Sequence, residues 1–444
     1  MVIVLVNMKA ISLFSSGGIG DLALESNGID ILLNNELLYD RCCLLKANFP
    51  NTVNIEGDIS VNIDKIINTT QELLRGDELD ILFATPPCQG MSKNGRGTLL
   101  NNIKKGLRPK LDERNQLIVN AVEIAKVLKP RLIVFENVPE MEHTFIYTPQ
   151  NQYKSILDYL KEEFGDEYVG KGEVVEFADY GVPQRRQRLI TIFTRDSFIK
   201  EVFHKNNTFL PPKTHSFKKI NKMKKWVTLR ETISQLPALD AKNHILATSH
   251  IPYHRVSVLD DNKYFWISNT PEEQGAMDNQ CCKCGFQQNK THGSKKINGV
   301  NQANKDTPIR CEKCGELLPR PCVIENGEYR IMRGFTSAYR RMKWDIPANT
   351  LTMNLSYACS DSTLHPSQNR VLSLYEAMKI HTITDFIYQW KRSDNVKVSD
   401  KLIREVIGES IPPRGLDVIF KHLCKLLKHE DVGHYGAQVI QTLF

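Results

Sequence analysis

The chain has 444 residues, 41% hydrophobic and 25% charged, enough to bury one large core or two ordinary ones; disordered, collagen-like and coiled-coil classes are excluded. Lys plus Arg number 58 against 51 Asp plus Glu, and a net charge of +7 is too mild for a histone-like DNA condenser while compatible with a polyanion partner. Eleven cysteines are too few for a disulfide scaffold, but four fall in two Cys-x-x-Cys pairs, the pattern of metal binding in a reducing compartment. No apolar run approaches the ~18 residues of a membrane span, and hydrophobic residues 1–6 lack the length and flanks of a signal peptide; a soluble cytoplasmic protein is expected.

From residue 10 to residue 193, short β-rich runs alternate with helix-like stretches, the signature of an α/β fold around a mixed, mostly parallel sheet. Strands are predicted at 10–14, 31–36, 80–84, 131–136, 173–179 and 188–193. Helices are predicted at 21–27, stopped by Gly28, and at 115–128, stopped by Lys129-Pro130, with further ones at 71–78 and 153–164. The run 213–225 carries six lysines and no acid, and reads equally as the flank of a nucleic-acid groove or as a solvated loop. Helices at 226–236, 371–378 and 416–427 complete the prediction, the last apolar enough on one face to pack on the first core. The division expected is a catalytic part, 1–240; a polar, irregular part, 241–357, carrying the cysteine pairs within an insert at about 278–318; and a segment, 358–444, returning to the first part.

Ser15, Ser16, Gly17, Gly18, Ile19 and Gly20 follow Phe14 between the first strand and the first helix, where glycines permit a tight turn and close ligand approach. Eighteen residues past Gly18, Glu36 ends the second strand, a usual place for an acid that holds ribose hydroxyls. Asp58, with Ile59, follows a third short strand and is placed to accept from an adenine amino group. Together these predict an adenosine-containing cofactor, without choosing between a dinucleotide and S-adenosylmethionine. The run from Asp80 to Gly90 makes that choice: a buried strand enters Pro86-Pro87, which stiffens the chain, then presents Cys88 at the carboxyl edge of the sheet. A thiolate there is the strongest side-chain nucleophile at neutral pH.

Pro86-Pro87-Cys88-Gln89, Phe135-Glu136-Asn137-Val138 and Gln184-Arg185-Arg186-Gln187-Arg188 resemble, in this order, the blocks of the DNA (cytosine-5)-methyltransferase family. Asp112-Glu113-Arg114-Asn115, Arg370-Val371-Leu372-Ser373 with Glu376, and Gly408-Glu409-Ser410-Ile411-Pro412-Pro413 extend the resemblance along nearly the whole chain. It implies a Rossmann-like domain that binds S-adenosylmethionine through Phe14, Gly17, Gly18, Ile19, Glu36, Asp58, Ile59, Pro86 and Ser410. It further implies that Cys88 adds to carbon 6 of cytosine, Glu136 offsets charge at nitrogen 3, and the activated carbon 5 takes the methyl group before loss of its proton expels Cys88. Arg188 would donate to the cytosine carbonyl oxygen, and Arg186 would brace Glu136 or a phosphate. A base within a duplex cannot reach such a pocket, so the target cytosine would be flipped out, at a cost of a few kcal/mol. Residues 91–111, with Gly95, Gly97 and Gly106 as hinges, would form a loop closing over the DNA.

Two positions depart from the family. Its glycine turn reads Phe-x-Gly-x-Gly-Gly, which leaves open the amides that meet the cofactor here, and Glu409 replaces the Asn of its late Gly-Asn-Ser-Val-Pro block. A carboxylate cannot donate as an amide does, so that contact is either lost or passed to Ser410.

Cys281, Cys284, Cys311 and Cys314 form two Cys-x-x-Cys-Gly knuckles separated by 26 residues, and predict a structural zinc site with four thiolate ligands. Cys282 and Cys322 are spare ligands and His292 a weaker one. The knuckles lie where the family reads its target sequence, with Arg333-Gly334-Phe335 and Tyr339-Arg340-Arg341 as candidates for groove or phosphate contact, or for packing with solvated charge. The reading is a monomeric, sequence-specific methyltransferase of double-stranded DNA in a prokaryotic restriction-modification system, partnered by an endonuclease for the same site. Methylation of transfer RNA cytosine, or DNA binding without catalysis, are the competing readings.

Overall fold

The computed structural model describes residues 7–87, 113–149, 152–220, 222–297, 300–304, 306–332 and 336–433. Cys88, the loop 91–111 with its glycine hinges, and Arg333-Gly334-Phe335 lie outside them.

The first part of the chain runs β1 (Lys9–Leu13), α1 (Asp21–Glu25), β2 (Asp30–Glu36), α2 (Tyr39–Asn48), β3 (Val53–Glu56), α3 (Ile59–Leu74) and β4 (Ile81–Ala84). It continues through α4 (Leu117–Leu128), β5 (Leu132–Asn137), the hairpin β6 (Phe145–Tyr147) and β7 (Tyr153–Ser155), α5 (Ile156–Phe164), β8 (Val169–Glu176), β9 (Gln187–Thr194) and α6 (Ser197–Asn206). One seven-stranded sheet results, ordered β3-β2-β1-β4-β5-β9-β8. Neighbours from β3 to β5 pair in parallel, whereas β9 pairs antiparallel with both β5 and β8.

Side chains alternate across a strand, so successive residues enter opposite cores. Ala10, Ile81, Phe83, Leu132 and Val134 face one cluster, with Leu22, Ile403 and Leu416; Ile11, Leu82, Ala84, Ile133 and Phe135 face the other, with Ile66, Ile118 and Leu160. Burial on both faces is why these strands read as continuous apolar runs.

After β9 come the short α7 (Leu229–Ile233) and α8 (Asp261–Ser268), and then two antiparallel hairpins, Ser294–Ile297 with Val300–Ala303 and Cys322–Glu325 with Glu328–Ile331. A separate small core gathers Trp266, Ile267, Met277, Tyr339, Leu364 and Val371. The chain then returns to the first core as α9 (Leu374–Ile380), α10 (Asp400–Glu409) and α11 (Pro413–Leu427). Asp417 on α11 accepts from Ser26 Oγ at 2.7 Å and Asn27 Nδ2 at 2.9 Å, tying the late helix to the end of α1.

Two predicted helices move substantially. The predicted 71–78 helix is the tail of α3, whose start is fixed by Asp58 accepting from Ser60 N at 2.9 Å as its N-cap. The predicted 226–236 helix contracts to one turn and a half, begun by a Thr228–Glu231 capping box. The strand expected at 173–179 starts four residues earlier, because Gly170 and Gly172, poor strand formers, sit under Phe193 and Thr191; a Cβ on Gly170 would stand 2.0 Å from the Phe193 ring.

Gly408, inside α10, is required by close approach: a Cβ there would lie 2.2 Å from Met353 N. Gly408→Ala is therefore expected to lower stability by about 1–3 kcal/mol, seen as a lower thermal midpoint; an unchanged midpoint would contradict this packing.

Candidate active site

The strand order reverses between β1 and β4, and ligands of open α/β sheets bind at the carboxyl edge beside such a switch point. Phe14 through Gly20 follow β1 at this edge, Glu36 ends β2, Asp58 follows β3, Pro86 follows β4, and Glu136 lies near the end of β5. Because β9 runs antiparallel, its beginning also reaches this edge, bringing Arg188 to it.

Glu136 is cross-strand partner of Ile190, so Arg188, two residues earlier, lies diagonally on the same face. Its Nε meets Glu136 Oε1 at 2.9 Å, with both side chains nearly buried. Burial pushes the Glu136 carboxyl above the usual carboxylate range, and the positive charges of Arg188 and Arg186 oppose that push. A carboxyl so held can keep or share a proton at a pH where exposed glutamate cannot. Asn137, quoted in the sequence motif without a role, donates from Nδ2 to Pro86 O at 2.9 Å and accepts from Val138 N at 2.8 Å. It fixes the end of β4 two residues before Cys88 against the strand bearing Glu136.

Arg186, expected to brace Glu136 or a phosphate, acts on Glu136 by its charge, but its hydrogen bonds go to main-chain carbonyls. Its guanidinium is fully buried and donates to Leu351 O at 2.9 Å, Gly408 O at 2.9 Å and Ser410 O at 2.7 Å. Two of these are carbonyls at the C-terminal end of α10, where a cation satisfies orphan acceptors and the negative end of the helix dipole. Beside it runs a buried chain that sequence reasoning missed. Leu351 N donates to Gln184 Oε1 at 3.0 Å, which leaves Gln184 Nε2 to donate to His381 Nδ1 at 3.2 Å. His381 Nε2–H then donates to Ser410 Oγ at 3.0 Å, and that hydroxyl donates to Ile407 O at 3.3 Å. Burial and the neighbouring arginines hold the His381 ring well below its ordinary pKa, so it is neutral, as this chain requires. The Ser410 hydroxyl hydrogen is thus already committed to Ile407.

At the cofactor end, Glu36 accepts from Ser16 N and Leu38 N, both at 2.9 Å. Phe14, Ser16 and Gly18 have φ of 60, 49 and 81°, a left-handed turn costly for a phenylalanine and of the kind held at ligand sites. Thr85 Oγ1 donates to Phe14 O at 2.9 Å, and Tyr388 donates to Gly17 O at 2.7 Å, pinning the turn from two sides. The amides of Ser15, Ser16 and Gly18 are spent on Asn35 O, the Glu36 carboxylate and Ser15 O. Asp58 is exposed and Ile59 buried at the start of α3. Ser16 Oγ is a buried hydroxyl without a partner among the described residues. The acid at the end of β2, this free hydroxyl and the strained turn form a donor and acceptor set that fits an adenosyl cofactor carrying hydroxyls and an amino-acid end. Glu409, standing where the family has Asn, reaches Arg41 at 2.6 Å.

The four knuckle cysteines place their sulfurs within 4.8 Å of one another, with Cys281–Cys314 and Cys284–Cys311 each at 3.7 Å. A tetrahedron with Zn–S bonds of ~2.3 Å has edges of about 3.8 Å, far longer than the ~2.05 Å of a disulfide. Gly285 and Gly315 take φ of 71 and 72° after each knuckle, which glycine permits. The donor set fits zinc. Cys282, Cys322 and His292 are not part of the cluster; His292 Nδ1 pairs with Thr307 Oγ1 at 2.7 Å. Tyr339 and Arg341, candidates for DNA contact, are buried, and Arg341 donates to the carbonyls of Thr270, Ile267, His365 and Gln368; they belong to the small core.

A mixed seven-stranded sheet with an acid, a strained glycine turn and a buried Glu–Arg pair along its carboxyl edge is an α/β methyltransferase fold. Residues 8–425 match the family described as C-5 cytosine-specific DNA methylase, and the chain belongs to it. Among curated proteins it is 30% identical to the type II methyltransferase M1.HgaI of Avibacterium volantium over 426 residues, covering 94% of this chain and 98% of that one. It is 24% identical to the type II methyltransferase M.PspPI of Psychrobacter sp. over 418 residues, covering 94% and 79%. The crystal structure of the S. pombe Dnmt2 methyltransferase shares the fold with a TM-score of 0.51 at 12% identity, covering 95% of this chain and 99% of that one.

Asp21, the first residue of α1, is fully buried; its Oδ1 accepts from Ser12 Oγ at 2.6 Å and its Oδ2 has no partner among the described residues. Burial pushes its carboxyl up to about 7. Since this lies above the value in an unfolded chain, the protonated form favours folding, fully so below about pH 4, and the contribution is lost as pH rises through 7. Wild-type protein is expected to lose stability on the order of a few kcal/mol between pH 5 and pH 8, measured by denaturant unfolding, and Asp21→Asn to flatten that slope. An equal slope in the variant would refute the assignment.

Proposed function

We propose that this chain is a type II restriction-modification methyltransferase that transfers the methyl group of S-adenosylmethionine to carbon 5 of a cytosine flipped out of duplex DNA. The observation that carries the mechanism is the buried Glu136–Arg188 pair, joined through Asn137 to Pro86, from which the chain leads directly to Cys88.

Carbon 5 of cytosine is a poor nucleophile until a thiolate adds to carbon 6. Cys88 makes that bond, and the electron pair displaced onto the ring is stabilised at nitrogen 3 by the raised Glu136 carboxyl, which donates or shares its proton. Arg188 orients Glu136 and has further donors for the ring carbonyl oxygen. The cofactor, held at the glycine turn and Glu36, supplies an electrophilic methyl group. Once carbon 5 carries it, loss of the carbon-5 proton to water restores the ring double bond and returns the electron pair of the carbon–sulfur bond to Cys88. The protein acts as a monomer beside an endonuclease that recognises the same site, and residues 241–357 read the sequence. Bisulfite sequencing of DNA from cells producing the protein is expected to reveal 5-methylcytosine at one sequence. Cys88→Ala abolishes it, and Glu136→Gln lowers kcat by about 10²–10⁴-fold; methyl groups found only on adenine would refute the reading.

Cys281, Cys284, Cys311 and Cys314 hold one structural zinc ion, because four protein ligands leave no open position for chemistry. Metal analysis is expected to find one zinc per chain, lost in Cys311→Ser together with sequence-specific DNA binding. Zinc content unaffected by that substitution would remove the site.

A further inference from the structure

At the rim of the glycine turn lies a charge arrangement that the methyl-transfer steps do not use. Glu36 closes β2 and is bonded to Ser16 N in the turn and to Leu38 N. Arg41, in the first turn of α2, meets Glu409 Oε2 through Nη2 at 2.6 Å. Glu409 is the last residue of α10, the helix that roofs the turn: a Cβ on Gly17 would lie 2.8 Å from Val406 on that helix. The pair therefore bridges roof and floor beside the Glu36 carboxylate. It is partly shielded from water, with the Arg41 and Glu409 side chains 12% and 29% exposed. Burial raises the Glu36 carboxyl above its ordinary range; the amide of Leu38 and the Arg41 charge pull it back toward ionisation, and Glu409 opposes them.

We propose that Arg41 and Glu409 set how strongly this pocket prefers the cationic methyl donor over its neutral product. The proposal rests on the reading of Glu36 and the glycine turn as the S-adenosylmethionine site. The methyl donor and S-adenosylhomocysteine differ by one methyl group and one positive charge, the sulfonium. Glu36, Arg41 and Glu409 together carry one net negative charge. A bare Arg41 would cancel the field of Glu36, and a bare Glu409 would double it; the ion pair leaves it standing. The donor is thus held by an attraction that ends when the methyl leaves, which favours exchange of product for fresh cofactor.

The ratio of the two affinities reads this field directly, because a purely mechanical latch would weaken both ligands alike. Isothermal titration of S-adenosylmethionine and S-adenosylhomocysteine at pH 8 and low salt would compare wild type with Glu409→Gln, Arg41→Met and the double variant. Glu409→Gln is expected to shift the ratio toward the product by about three- to tenfold, and Arg41→Met to shift it toward the donor by a similar factor. The double variant, with one net negative charge restored, returns to within about twofold of wild type, and all differences shrink as salt screens the charges. Ratios unchanged within twofold in the single variants would overturn the proposal, even where both affinities fall. Wild-type protein that binds neither molecule would overturn the cofactor site itself. If Arg41→Met does not fold, Glu409→Gln, at the more exposed end of the pair, decides alone.

Discussion

A buried guanidinium with carbonyls for partners holds this molecule together. Removing a charge from water costs several kcal/mol unless its donors are met; Arg186 meets most of them, through Nη1 and Nη2, on Leu351, Gly408 and Ser410, while its Nε has no partner among the described residues. Those acceptors come from the end of the smaller part and the end of α10, far apart in sequence. Satisfying one cation thus seats both segments against β9, two residues from Arg188. The Gln184–His381–Ser410 chain repeats the connection with neutral groups, each donor answered by one acceptor. Buried polar networks stabilise to the degree that their members are paired, and the pairing of Gln184, His381, Ser410 and the two terminal nitrogens of Arg186 gives the edge of the sheet a fixed geometry.

The same logic governs the smaller part. The knuckle core comprises Cys281, Cys311 and Leu318, with Phe286 against it, too little apolar surface to order a chain alone. Metal binding would supply the missing free energy. Fully buried Arg320 fastens the unit, donating to Asn279 O, Lys290 O and Pro308 O at 2.7–2.8 Å. Of the two readings left open for Tyr339-Arg340-Arg341, packing holds for Tyr339 and Arg341, since an arginine in a sequence carries no mark of whether carbonyls await it inside.

How much was legible follows from range. The inner strands could be read because burial on both faces leaves only apolar residues, and Glu136 and Arg188 because they stand in blocks whose order is specific. The four cysteines announced themselves by spacing. Asn137, Gln184, His381 and Arg41 did not, since each acts through a partner tens to hundreds of residues away, and pairing at that distance leaves no local pattern. The start of α3 was hidden for a different reason: Asp58 is the helix cap, and its neighbours include Asn62, Asp64, Asn68 and two threonines, weak helix formers that tertiary packing carries.

The return of the chain to its first core has a consequence for synthesis. The glycine turn, Glu36 and β4 leave the ribosome early, but Tyr388, Val406 and Glu409, which close over the turn, are some 300 or more residues behind. Until α10 and α11 emerge, the first half of the sheet has an open apolar face where Leu416 and Phe420 belong. A nascent or truncated chain therefore contains Glu36, Glu136 and Arg188 yet lacks the helices that cover the glycine turn. The turn is closed only when the last helices dock.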